Sequence, residues 1–126
     1  VAEKKKILVV DDDLDTLDIV KIKLEGAGFK VITSADGVDA ISKINSDNPD
    51  LVILDVMLPK VNGFKIARLI KFDERLRHIP LFLFTARTQK SDIDLGNSVG
   101  ADEYITKPFD PEDLLAKVNS HLSKIK

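Results

Sequence analysis

The sequence predicts an α/β fold, a doubly wound five-stranded parallel sheet with five helices packed on both of its faces. Three observations lead there. Short apolar or β-branched runs recur along the 126 residues, at Lys6 to Val10, Phe29 to Thr33, Leu51 to Leu54, Pro80 to Thr85 and Glu103 to Thr106. The stretches between them space their apolar residues as helices do. The connections are a few residues long, so each strand passes through a crossover helix to a parallel neighbour. Right-handed crossovers then leave a doubly wound layout, with its ligand crevice beyond the carboxyl ends of the strands.

The first strand, Lys6-Ile7-Leu8-Val9-Val10, is apolar on both faces, as a strand covered by helices on each side must be, and it runs directly into Asp11-Asp12-Asp13. Asp13 is a suitable N-cap for a helix from Leu14, which stops near Gly26 and Gly28. Val20, Leu24 and Ala27 mark the core stripe of that helix, with Leu14 and Leu17 to one side and Ile19 and Ile22 to the other. The arc is too wide to bury completely, and Leu14 and Leu17 are expected to stay partly exposed. Phe29 to Thr33 is the second strand, and Val38, Ile41 and Ile44 space out the second helix. Asn45 to Pro49 is a turn before the third strand, which ends on Asp55, with Pro59 stopping the ladder. A third helix starts at Gly63 and carries Phe64, Ala67 and Ile70. After the fourth strand, Gln89 to Val99 is the weakest helix, interrupted by Ser91, Gly96 and Asn97. The last helix follows the short fifth strand and has Asp110 as N-cap, Pro111 at its first position, and Leu114, Leu115, Val118 and Leu122 inside. No repeat or linker divides the chain, so residues 1–126 are read as a single domain.

Composition removes several functions. The net charge of −2 lacks the basic excess of a nucleic-acid or acidic-membrane binder, so neither is expected as a direct partner. Without cysteine there is no disulfide framework, thiolate metal site or thiol nucleophile. No apolar stretch approaches the ~20 residues of a membrane span and the first residues are too polar for a signal peptide, which predicts a soluble, cytoplasmic protein. His78 and His121 match no constellation and are read as surface residues.

The polar residues that stand out all fall at strand ends: Asp11 and Asp12 after the first strand, Asp55 on the third, Thr85 on the fourth and Lys107 after the fifth. Core packing does not explain that convergence. Together, Ile7-Leu8-Val9-Val10-Asp11-Asp12, Leu54-Asp55 with Pro59 and Gly63, Phe84-Thr85-Ala86 and Lys107-Pro108-Phe109 resemble, in order and spacing, the receiver domain of bacterial two-component response regulators. The resemblance covers essentially the whole chain. It implies the flavodoxin-like strand order 2-1-3-4-5, which the chemotaxis response regulator of this family exemplifies; the periodicity alone does not give it. It further implies that Asp55 is the phosphoacceptor and that Asp11, Asp12, Asp55 and the backbone carbonyl of Met57 hold Mg²⁺. Thr85 would bind a phosphoryl oxygen, Lys107 would pair with the phosphoryl charge, and Thr85 and Tyr104 would form the switch on the surface of the fourth helix, fifth strand and fifth helix. The implied partners are a sensor histidine kinase and a downstream effector or output domain; the surplus apolar residues of the first helix, Leu14 and Leu17, are where the kinase is expected to dock. Met57 and Arg87, two residues after Asp55 and Thr85, would flank the phosphoryl group; neither suits the activation of water, which predicts slow decay of the signal. Such a domain is a switch that catalyses only its own phosphorylation and dephosphorylation.

The residue types suit this chemistry. Clustered carboxylates repel, and a hard cation that accepts oxygen ligands relieves them. Three rival readings fit the residues less well. A calcium loop starting at Asp11 has Thr16 and Ile22 where glycine and the bidentate glutamate belong. An FMN module would meet three aspartates where it needs hydroxyls and amides. An aspartyl-nucleophile phosphatase of the haloacid dehalogenase type is the main alternative; its nucleophile belongs on the first strand, and it usually has a cap for which this chain is short.

Overall fold

The computed structural model describes residues 4–58, 61–85 and 100–122. Five parallel strands, β1 (Lys6–Val10), β2 (Lys30–Ser34), β3 (Leu51–Asp55), β4 (Leu81–Thr85) and β5 (Glu103–Thr106), form one sheet in the order β2-β1-β3-β4-β5. The described helices are α1 (Leu14–Gly26), α2 (Gly37–Asp47), α3 (Gly63–Lys71) and α4 (Pro111–Leu122). The helix expected between Gln89 and Val99 lies outside the described residues, as do Pro59, Ala86 and Arg87.

Successive side chains of a strand point to opposite faces, so each strand feeds two cores. On one face Leu8, Val10, Val52, Leu54, Leu81 and Leu83 pack with Ala40 and Ile44 of α2 and with Ile66, Ala67 and Ile70 of α3. On the other, Ile7, Val9, Ile53, Phe82 and Phe84 pack with Leu17, Val20 and Leu24 of α1 and with Leu114, Val118 and Leu122 of α4. Because both faces are covered, β1, β3 and β4 have no polar alternation to show. The chain leaves β1 toward β2, then crosses back and runs the other way from β3. The direction of winding therefore reverses between β1 and β3, the strands that lead into Asp11 and end at Asp55.

Local chemistry sets the ends of α1. The Asp13 side chain accepts the Asp15 N–H at 3.0 Å, as an N-cap should. At the other end Gly28, with φ of 99°, donates to the Glu25 carbonyl at 3.0 Å while Phe29 donates to Leu24 at 3.1 Å. That is a Schellman closure, and its left-handed position explains the glycine. Asp110 caps α4, accepting the Glu112 N–H at 2.9 Å.

Five sequence expectations shift. The core stripe of α1 is Leu17, Val20 and Leu24, while Ala27 lies beyond the helix end and is exposed. Leu17 is only 6% exposed and belongs to the core, not to a docking surface, whereas Leu14 is 66% exposed. In α2 the buried face is Gly37, Ala40 and Ile44, leaving Val38 exposed, and in α3 Ile66 joins Ala67 and Ile70 while Phe64 is half-buried. His121 is not a free surface residue. It lies 3.0 Å from Glu103 of β5 and edge-on to the Phe82 ring, with 5.1 Å between centroids.

Candidate functional site

The reversal of winding puts the carboxyl ends of β1 and β3 side by side. Asp11, directly after β1, is fully buried, and Asp55, the last residue of β3, is 5% exposed. Asp12 follows on the exposed side. Carboxylate oxygens of the three lie within 4.8 Å of one another, an arrangement able to hold a metal ion.

Short backbone contacts aim the two buried acids. Asp11 Oδ1 accepts the Asp13 N–H at 2.9 Å, and Asp55 Oδ1 accepts the Met57 N–H at 2.9 Å. Each carboxylate thus closes a turn of its own strand end and leaves its second oxygen for the shared space. Lys107 fills that space: its ammonium lies 2.5 Å from Asp11 Oδ2 and 3.1 Å from Asp55 Oδ2. It reaches there from the β5 end because its own N–H is tied to the Thr85 carbonyl at 2.6 Å, next to a cis Lys107–Pro108 bond. The Phe84 ring lies 5.6 Å from the ammonium and is stacked on Phe109.

The electrostatics follow from burial. Desolvation pushes the Asp11 carboxyl up to about 6, against the hydrogen bonds from Lys107 and the Asp13 amide, which favour the ionised form; the nearby Asp55 charge adds to the rise. For Lys107, burial opposes the charge, but hydrogen bonds to Asp11 and Asp55 outweigh it and hold the ammonium above the ordinary lysine value. These residues therefore fit a bound divalent cation. A fully buried carboxyl that is costly to ionise, in a cluster of three, gains from positive charge that a single lysine only partly supplies.

Thr85 is buried at the end of β4, in register with Thr106 of β5. Tyr104 of β5 is half-buried against the α2–α3 core, and its phenolic oxygen is inside. Thus Asp11, Asp12, Asp55 and Lys107 come together at one point, Thr85 ends the adjoining strand, and Met57 lies beside them through its amide. Leu14 is on the exposed side of α1 and Leu17 is in the core. The sequence reading missed the Asp13 and Met57 amides that orient the acids and the Phe84–Phe109 stack beside Lys107. An Asp followed two residues later by a free amide is the only signal for the former, and it is too common to single out. A groove of about 630 Å³ lined by Asp13, Thr16, Ile19, Lys107, Phe109 and Pro111 opens beside the site.

A doubly wound sheet with a carboxylate cluster and a lysine at its switch point defines an aspartate-centred module of the flavodoxin-like class. A family model described as the response regulator receiver domain matches residues 7–119. The chain belongs to this family and is the receiver domain of a two-component response regulator. It is 39% identical over 120 residues to the alkaline phosphatase synthesis transcriptional regulatory protein PhoP of Bacillus subtilis, covering 95% of this chain and 49% of that protein. The chain thus spans about half the length of that curated relative. Among solved structures, it resembles the chemotaxis response regulator CheY4 of Vibrio cholerae with a TM-score of 0.88 and 32% identity, covering 95% of this chain and 100% of that one. The Thermotoga maritima OmpR/PhoB homologue DrrB gives a TM-score of 0.88 and 37% identity over 98% of this chain and 55% of the other. Nothing in these comparisons favours the phosphatase alternative. No described helix is long and apolar enough to cross a membrane.

Proposed function

We propose that the domain is a cytoplasmic switch in which Asp55 takes a phosphoryl group from the phosphohistidine of a sensor histidine kinase. The observation that carries this reading is the Asp55 carboxylate itself, buried at the end of the central strand with Lys107 at 3.1 Å and the acids of Asp11 and Asp12 beside it. In transfer, an Asp55 oxygen forms the new bond to phosphorus as the phosphorus–nitrogen bond breaks, and the imidazole nitrogen keeps the electron pair. A carboxylate has no proton to lose, so no general base is needed. Lys107, already facing Asp55, pairs with the phosphoryl oxygens, and the Thr85 hydroxyl binds one of them. Asp11, Asp12, Asp55 and the Met57 carbonyl are the residues that would hold Mg²⁺, which when bound neutralises the carboxylates and the incoming phosphoryl charge. Beyond its own phosphorylation and hydrolysis the domain turns over no substrate.

Treatment with acetyl phosphate and Mg²⁺ is expected to add one acid-labile phosphoryl group, read by intact mass. Its persistence in Asp55→Asn, at another residue, overturns the assignment. Movement of the Thr85 hydroxyl toward the phosphoryl group and reorientation of Tyr104 would then carry the signal to an effector or output domain. Hydrogen exchange with and without beryllofluoride is expected to differ most between Thr85 and Lys107, and a change confined to α2 contradicts the switch. Kinase docking falls to Leu14 of α1, since Leu17 is buried. Leu14→Asp is expected to slow transfer from the kinase and to leave labelling by acetyl phosphate intact; equal loss of both refutes docking there. Slow decay through Met57 and Arg87 is tested with a Met57→Asn, Arg87→Glu double variant, in which unchanged decay refutes the idea.

A further inference from the structure

Residues 56–62 follow Asp55 and carry the Met57 amide that holds its carboxylate. Two glycines flank this loop. Gly63 opens α3 so close to the end of β3 that a Cβ there would lie 2.3 Å from the Asp55 carbonyl oxygen and 2.7 Å from Val56 Cα. Gly37 opens α2 against the other end of the loop, where a Cβ would lie 2.7 Å from Val61 Cβ and 3.0 Å from both the Val61 carbonyl oxygen and Ile66 Cδ1.

Neither glycine is required by its backbone angles. Among the described glycines, positive φ occurs at Gly28 and Gly100. Alanine at position 37 or 63 would take up the same conformation and would favour the helix it begins. Only space excludes it, and at Gly63 the obstacle is main chain, which cannot rotate aside as a side chain can. The main chain concerned belongs to Asp55 and Val56. The Gly63 N–H reaches the Val56 carbonyl at 3.3 Å, and the next amide, that of Met57, donates to Asp55 Oδ1 at 2.9 Å. A displacement of the Asp55–Val56 peptide therefore passes straight to the hydrogen bond that aims the carboxylate.

We propose that Gly63 and Gly37 are positioning residues for phosphoryl transfer. By letting α3 and α2 close on the loop after β3, they fix the Asp55–Met57 backbone and so the direction of the Asp55 carboxylate. The proposal rests on Asp55 being the phosphoacceptor. Labelling of the wild type that disappears in Asp55→Asn settles that point separately, and the Met57 amide reports positioning whether or not labelling occurs.

The test compares Gly63→Ala and Gly37→Ala with Leu24→Val, a core change on the opposite face of the sheet that also lowers the melting temperature. Amide spectra, Met57 hydrogen exchange, Mg²⁺ affinity and the acetyl phosphate labelling rate are measured on each. Gly63→Ala is expected to shift the Met57 resonance, to speed its exchange about tenfold and to slow labelling by roughly ten- to a hundredfold, since a misplacement near 1 Å can cost that much. Gly37→Ala is expected to act in the same direction by less, through Val61. Leu24→Val is expected to lose stability while keeping the Met57 signal, Mg²⁺ affinity and rate. A folded Gly63→Ala that behaves like Leu24→Val in all three overturns the proposal. If Gly63→Ala does not fold, Gly37→Ala decides by the same criteria, and failure of both to fold refutes a positioning role in favour of a purely structural one.

Discussion

Replacing Asp11 with asparagine is expected to stabilise the metal-free domain while abolishing its use of Mg²⁺. Asp11 is fully buried, and burial raises its carboxyl from 3.8 to about 6. A folded-state value above the unfolded one means that the folded protein holds this proton more tightly. The contribution to stability is complete below pH 3.8 and is lost as the pH rises through about 6. A shift of about 2 units corresponds to ~3 kcal/mol at neutral pH and above. Asparagine keeps the shape but has one oxygen, which can accept from Lys107 or from the Asp13 amide and not from both; one hydrogen bond is lost and the other loses its charge assistance, together about 2 kcal/mol. The net gain is therefore about 1 kcal/mol at pH 8, or roughly 3–5 °C in Tm for a domain of this size. Thermal unfolding in the presence of a chelator, at pH 4.5 and at pH 8, measures it. The advantage of the variant is expected at pH 8 and is lost by pH 4.5, where wild-type Asp11 is mostly protonated. A variant no more stable than wild type at pH 8, or a gap independent of pH, refutes the reasoning. Added Mg²⁺ is expected to raise the wild-type midpoint at pH 8 and to leave that of the variant in place.

Lys107→Met removes the ammonium 2.5 Å from Asp11 and 3.1 Å from Asp55 and leaves two buried acids facing each other. Urea unfolding at pH 8 is expected to show a loss of ~2–4 kcal/mol, smaller at pH 5 where Asp11 takes up a proton; an unchanged midpoint at pH 8 contradicts this. Lys71, largely buried, lies 2.9 Å from Asp102 and donates to the Ile79 carbonyl at 2.7 Å. Lys71→Met is expected to cost ~1–3 kcal/mol and to speed hydrogen exchange between Asp73 and Ile79 with labelling of Asp55 retained, and a loss of labelling without loss of stability contradicts it. Protons compete with a cation for Asp11, so calorimetric Mg²⁺ affinity is expected to fall about tenfold per pH unit below 6; affinity independent of pH contradicts that.

The fold was legible because its signals are local and repeated. Five apolar runs separated by helical spacing leave few alternatives, and the strand-end acids mark the crevice. What the sequence misplaced was where the buried stripe of a helix begins and ends. On α1, Leu17, Val20 and Leu24 face the sheet, whereas the sequence reading set the stripe one step later and included Ala27. The Schellman closure at Gly28 takes the chain off the helix before Ala27 could pack. The same displacement wrongly assigned Leu17 to the docking surface. A surplus of apolar residues around one helix fixes how much will stay exposed, but only the sheet it packs on decides which. His121 was misread for a related reason: its partners, Glu103 and Phe82, lie on two different strands, and no spacing in the sequence joins them.

The arrangement of the site also explains why a cluster so costly to bury sits at this position. Asp11 directly follows, and Asp55 ends, the two strands between which the winding reverses, and their backbones are held by the most buried strands of the sheet. Lys107 belongs to the β5 end and is tethered to β4 through the Thr85 carbonyl. Its ion pairs therefore join the far side of the sheet to the acids of β1 and β3. Any group that competes with those carboxylates for the ammonium acts on the β4–β5 edge as well as on the acids. Thr85 and Tyr104 lie on that edge, Tyr104 with its phenolic oxygen buried. One lysine and one strand end thus tie the charge at Asp55 to the β4–β5 edge.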